Sequence, residues 1–243
     1  MSIDLTGITN KNEYYTNHYF STIFEENAGE AITAWAQAAK SSEEIRTPWA
    51  QLRQNARQFY PLHDRYAGGA LNLQLLAAIR TMADRYLASL GYPEAAPELV
   101  PVDASLSVPV YLEMKKSNGA PLLWVMLSAS RESDAGILES NVFDGNIAEE
   151  DAFGAVHNDD LLELKNEDLA TQILFGAAEP PRFLLFISLN QIALIDRNKW
   201  SEKRYLQFEL EDIFSRLELT TLQAMVVLPV SYTHLTLPTI LRV

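Results

Sequence analysis

Between Val108 and Leu127 the chain reads Val-Pro-Val-Tyr-Leu-Glu-Met-Lys-Lys, then Ser-Asn-Gly-Ala, then Pro-Leu-Leu-Trp-Val-Met-Leu. Two β-prone runs flank an Asn-Gly pair. That pattern predicts a hairpin, because Asn and Gly tolerate the positive φ angles of a tight turn. Side chains alternate faces along a strand. Val110, Leu112 and Met114 then share one face, and Tyr111, Glu113 and Lys115 share the other. The hairpin therefore sets a carboxylate and an ammonium side by side on one sheet face.

The rest of the chain arranges itself around this element. After a polar lead-in, Tyr15, Tyr19 and Ile23 fall at helical spacing, and Asn27-Ala28-Gly29 predicts a break before a second helix over about 30–40. Ser41-Ser42-Glu43-Glu44 reads as an N-cap with acids in the first turn, opening a third helix that runs to Tyr60. Pro61 and Gly68-Gly69 read as punctuation. The clearest helix spans 70–90, where Leu71, Leu75, Ile79, Met82, Tyr86 and Leu90 form one apolar stripe ended by Gly91.

Leu99 to Val102 predicts a short edge strand, and 130–160 an acidic surface loop. Helical period returns over 160–176 until Pro180-Pro181 stops it. Two strands follow, over 182–189 and 192–196. Phe183-Leu184-Leu185-Phe186-Ile187 is apolar throughout, as expected of a strand buried on both faces. Residues 205–214 predict a strand running into a helical turn, and 220–228 a last helix. The expected fold is α/β (α+β): a helical N-terminal region over 1–92, then a mixed-sheet module over 93–228.

Composition narrows the function. With 48% hydrophobic residues the chain can build a real core, and with no cysteine it has neither disulfides nor thiolate metal sites. The N-terminus lacks the basic-then-apolar pattern of a secretory signal, and no apolar stretch approaches the roughly 20 residues of a membrane span. The expectation is a cytoplasmic protein without membrane contact. A net charge of -13 counts against a stand-alone nucleic-acid binder, whose affinity rests on neutralising phosphates.

Glu113-Met114-Lys115 is the E-x-K half of the PD-(D/E)xK nuclease signature. The order helix, strand, strand, strand, helix, strand between Ala70 and Asp196 resembles the common core of those enzymes. Their chemistry gathers two or three carboxylates around Mg²⁺ and adds a lysine that orients water or stabilises charge. On that reading Asp103 and Glu113 are the metal ligands and Lys115 is the catalytic lysine, with Glu98 and Asp134 as further acids. No Pro-Asp dipeptide precedes the strand. The other reading of the same face is a solvated edge hairpin. Arg197, Lys199, Lys203 and Arg204 surround Trp200 and are the candidates for contact with a DNA backbone, or else a solvated connection. His18, His63, His157 and His234 form no metal pair, and no glycine-rich nucleotide loop or Asn-Pro-Pro-Tyr motif occurs.

Three segments carry a wider likeness. Asp4-Leu5-Thr6-Gly7-Ile8-Thr9-Asn10 with Asn12-Glu13-Tyr14-Tyr15 and His18-Tyr19 resembles the opening of large bacterial restriction-modification proteins, adenine-specific SAM-dependent DNA methylases with attached nuclease-like regions. Leu194 to Trp200 with Arg204-Tyr205-Leu206, and then Thr221-Leu222-Gln223-Ala224, resembles a later part of the same N-terminal region. The resemblance implies a role in DNA restriction or phage defence, with DNA as the partner of the intact protein and SAM bound only by a downstream domain missing here. It implies no methylation by this chain. From Pro229 the composition changes, and 229–243 resembles translated sequencing-adapter read-through, expected to pack poorly.

Overall fold

The computed structural model describes residues 4–16, 18–41, 45–68, 73–128, 136–140 and 164–233. The apolar run is its central strand. In β6 (Phe183–Ile187) every side chain is buried, and the strand lies inside a six-stranded mixed sheet. The sheet order is β1 (Ile8–Lys11), β8 (Tyr205–Glu209), β7 (Gln191–Asp196), β6, β5 (Pro121–Leu127), β4 (Leu112–Lys115). Only β5 and β6 run parallel, joined through α4 (Asn166–Gly176), because a parallel pair needs a crossover long enough to return the chain. The other neighbours in this sheet are antiparallel.

The predicted first strand of the hairpin is split. Ser107–Val110 forms β3, which pairs with β2 (Glu98–Pro101) in a separate two-stranded ladder. Tyr111 stands at the joint; its backbone N–H donates to Val125 O (2.8 Å) and its hydroxyl to Asp84 of the helical region (2.6 Å).

The helical elements are a π-helical turn (Tyr19–Ile23), α1 (Phe24–Ser41), α2 (Pro48–Gly68) and α3 (Leu73–Ser89). Between β7 and β8 comes α5 (Arg197–Trp200), and after β8 come α6 (Leu210–Arg216) and α7 (Leu219–Thr233). Three expected breaks are absent. The helix of α1 passes straight through Gly29. The helix of α2 continues through Pro61 to Gly68, since proline removes one hydrogen bond but need not end a helix held by tertiary packing. α7 continues through Pro229, which is itself buried, to Thr233, whereas 234–243 lie outside the described residues. The proposed cap at Ser42-Glu43-Glu44 and most of the acidic loop also lie outside them.

The helical and sheet parts share one core. Phe214 of α6 meets Phe59 of α2 (5.4 Å between centroids) and Tyr86 of α3 (6.1 Å). α7 packs on α1 and α2 through a buried run from Ala224 to Leu228. The N-terminal segment crosses the expected boundary at 92/93, because β1 is the edge strand of the main sheet beside β8.

Candidate functional site

Glu113 and Lys115 sit on β4, the edge strand opposite β1. Glu113 faces Trp124 across the β4–β5 ladder, and the register slips between Met114 and Lys115, so Lys115 pairs with Pro121. The two side chains stay on one face despite this bulge. Lys115 Nζ lies 2.8 Å from Glu113 Oε2, and Trp124 donates its indole N–H to Glu113 Oε1 at 3.0 Å. The glutamate side chain is only 11% exposed while the lysine is 57% exposed, so the pair spans the wall of the site.

That wall belongs to an open cleft of about 390 Å³. Glu98 of β2 and Glu179, just beyond α4, bring two further carboxylates to it, and Trp124 and Pro121 line it beside Glu113 and Lys115. Burial pushes the Glu113 carboxyl up. The hydrogen bonds from Lys115 and Trp124, the charge of Lys115 and a hydrogen bond with Glu98 outweigh burial and hold it below the ordinary glutamate value. Glu113, by hydrogen bond and by charge, lifts the exposed Lys115 above the usual lysine value, with Glu98 and Glu179 adding to it.

Asp103 does not join them. It closes the β2–β3 turn, where its Oδ1 accepts from the backbone N–H of Ser105 (2.7 Å) and Leu106 (2.8 Å) and from the Ser105 hydroxyl (2.8 Å). These bonds hold its carboxyl below the usual aspartate range. A short polar residue before Ser105 is a turn signal as much as a ligand signal, and the turn is what this one makes. Asp134 lies outside the described residues.

Mg²⁺ demands near-octahedral oxygen ligands, yet both Glu113 oxygens are bonded within the protein. Among the described residues no group of three Asp, Glu or His side chains is placed to hold an ion.

The four basic residues around Trp200 are half-buried, and each has a partner within the protein. Arg197 donates to Pro180 O (2.9 Å). Lys199 donates to Tyr14 O (2.6 Å) and stands over the Tyr14 ring at 4.2 Å. Lys203 pairs with Glu167 at 2.7 Å and covers the Trp200 ring. Arg204 pairs with Glu202 at 2.5 Å. Burial lowers Lys199 below the ordinary lysine value, opposed by Asp196 and reinforced by Arg204 and Arg182.

Two features escape the sequence reading. Glu179 completes the acidic cleft, but its only signal is a place beside Pro180-Pro181. Arg182 and the buried Asp196 form a two-point ion pair at 2.8 and 2.9 Å, and Asp196 also caps α5 through Asn198 N. Both ends of that pair are visible in the sequence only as the flanks of two strands.

The N-terminal segment meets two later stretches of the chain in space. Ile8–Lys11 pairs with Tyr205–Phe208, and Asn12 donates to the carbonyls of Glu202 and Lys203. Asp4 accepts from Thr221 through its carbonyl, and its backbone N–H donates to Thr220. Comparison of the chain with family models, with curated proteins and with solved structures returns no match.

Proposed function

We propose that this chain is the N-terminal α/β module of a bacterial restriction-modification methylase, and that the module is a non-catalytic docking scaffold for DNA or a partner domain. The observation that carries the second half is the state of Glu113. Its two carboxylate oxygens are taken by Trp124 and Lys115, and Asp103, the acid expected beside it, is tied into a turn. A nuclease site needs carboxylates open to a metal; this one is closed by its own strand neighbours.

The assembly of the three resembling segments supports the first half. They lie 185 or more residues apart in contacts such as Lys199 to Tyr14 and Thr221 to Asp4, so the likeness follows a piece of architecture and not a run of catalytic residues. The crossover from β5 through α4 to β6 is compatible with a nuclease-like ancestry, and fold analogy carries no activity with it.

Incubation of the full chain with supercoiled plasmid and Mg²⁺ tests the reading. The expected result is intact plasmid. Nicking that needs Mg²⁺ and disappears in Glu113→Gln would assign the cleft to a working nuclease and end the scaffold reading.

A further inference from the structure

In contrast to the acidic cleft, α2 and α3 form an antiparallel pair in which Asn55 reaches Arg85 O and Ser89. Together these two helices carry five arginines, Arg53, Arg57, Arg65, Arg80 and Arg85, against two aspartates, Asp64 and Asp84. In a chain of net charge -13 this is a local reversal of sign. The two acids are turned elsewhere: Asp84 accepts from Tyr111 at 2.6 Å, and Asp64 is 81% exposed beside His63.

Between the helices runs an open groove of about 270 Å³. α2 contributes Gln58, Leu62 and Arg65, and α3 contributes Thr81, Met82 and Arg85; among the described residues no carboxylate lines it. Positions 58, 61, 62 and 65, and likewise 78, 81, 82 and 85, are the i, i+3, i+4, i+7 stripes by which each helix faces the groove. Pro61 lies on this stripe and cannot donate to the Arg57 carbonyl one turn back. Because the helices are antiparallel, Arg65 and Arg85 stand near opposite ends, about 10 Å apart along the axes at 1.5 Å per residue.

We propose that the α2–α3 groove binds the phosphodiester backbone of DNA through Arg65 and Arg85, with Gln58 as a neutral donor. Two arginines set about 10 Å apart along the helix axes can reach different phosphates of one strand, and arginine forks match phosphate oxygens two at a time. The mixed floor of Leu62 and Met82 gives no base-edge readout, so the contact positions DNA without reading its sequence. This rests on the docking reading and deepens it by moving the DNA contact away from the cluster Arg197 to Arg204, whose cations already hold partners within the protein.

The test is fluorescence anisotropy of the full chain with a labelled 20-base-pair duplex over a salt series. The variants are Arg65→Gln/Arg85→Gln, the charge-keeping Arg65→Lys/Arg85→Lys, and Lys40→Gln/Lys116→Gln as a control of equal charge change. The first variant should bind about tenfold more weakly, with a log–log salt slope shallower by about 1.8, the loss of two phosphate contacts. The lysine pair should keep most of the binding, and the control should bind as wild type does. Thermal melts show whether the glutamine pair is folded; if it is not, the single variants Arg65→Gln and Arg85→Gln carry the test, each expected to make the salt slope shallower by about 0.9. Equal binding by all four proteins, an equal loss in the control, or stabilisation by inorganic phosphate with no DNA binding would overturn the groove. The nicking assay can fail independently of this result, since it reads Glu113 and not the arginines.

Discussion

Trp124 stands opposite Glu113 in the β4–β5 ladder and donates its indole N–H to the carboxylate at 3.0 Å. A tryptophan in that place holds the glutamate in the wall of the cleft and takes one of the oxygens a metal would need. Lys115 takes the other.

The pair makes stability depend on acid. Glu113 is held below its ordinary value of 4.5 in the folded chain. In the window below 4.5 the unfolded state binds the proton first, so the contribution is present above that pH and is lost as pH falls through the folded value. Glu113→Gln should cost about 1 kcal/mol at neutral pH, since the Lys115 partner is largely solvated. Denaturant titrations at pH 7, 4.5 and 3 should show the gap between variant and wild type closing with acid. A gap independent of pH would contradict the pairing.

Two glycines share a positive φ and differ in surroundings. Gly7 has φ +81, and a Cβ there would lie 2.7 Å from Ile213 Cγ1, whereas Gly119 has φ +83 and nothing within 4 Å. Gly119→Ala should cost about 1–2 kcal/mol, the strain of the left-handed backbone alone. Gly7→Ala adds a clash between β1 and α6 and should cost roughly 1–3 kcal/mol more. Equal losses in chemical denaturation would show that β1 does not press on α6 as described.

Asp196 is buried, paired twice with Arg182, and caps α5. Removing one partner of a buried pair costs about 3–5 kcal/mol because the other charge is stranded. Arg182→Met should therefore destabilise strongly, and Arg182→Met/Asp196→Leu should recover part of the loss. A double variant as unstable as the sum of the singles would mean the two residues are not coupled.

Much of the sheet is legible in the sequence, and the reasons are local. Phe183–Ile187 could only be a doubly covered strand, and Asn118-Gly119 could only be a tight turn; Gly119 has the positive φ expected of it. Helix ends were less legible. Gly29, Pro61 and Pro229 are breakers by propensity, but the tertiary packing around α1, α2 and α7 overrides them. The site was half legible. Alternation along the strand placed Glu113 beside Lys115. Sequence spacing could not show that Asp103 would fold back on Ser105, or that Glu98 and Glu179 would arrive from two other elements. Nor could the cluster Arg197 to Arg204 reveal that each cation had a partner, since Tyr14 and Glu167 are distant in sequence.

The most direct test of a closed, structural Glu113 is the melting temperature of the full chain and of its Glu113→Gln variant, each with and without millimolar Mg²⁺. A ligand that binds only the folded state raises its stability in proportion to occupancy. The account predicts no Mg²⁺-dependent shift in either protein. A Mg²⁺-dependent rise in the wild type that vanishes in Glu113→Gln would contradict it.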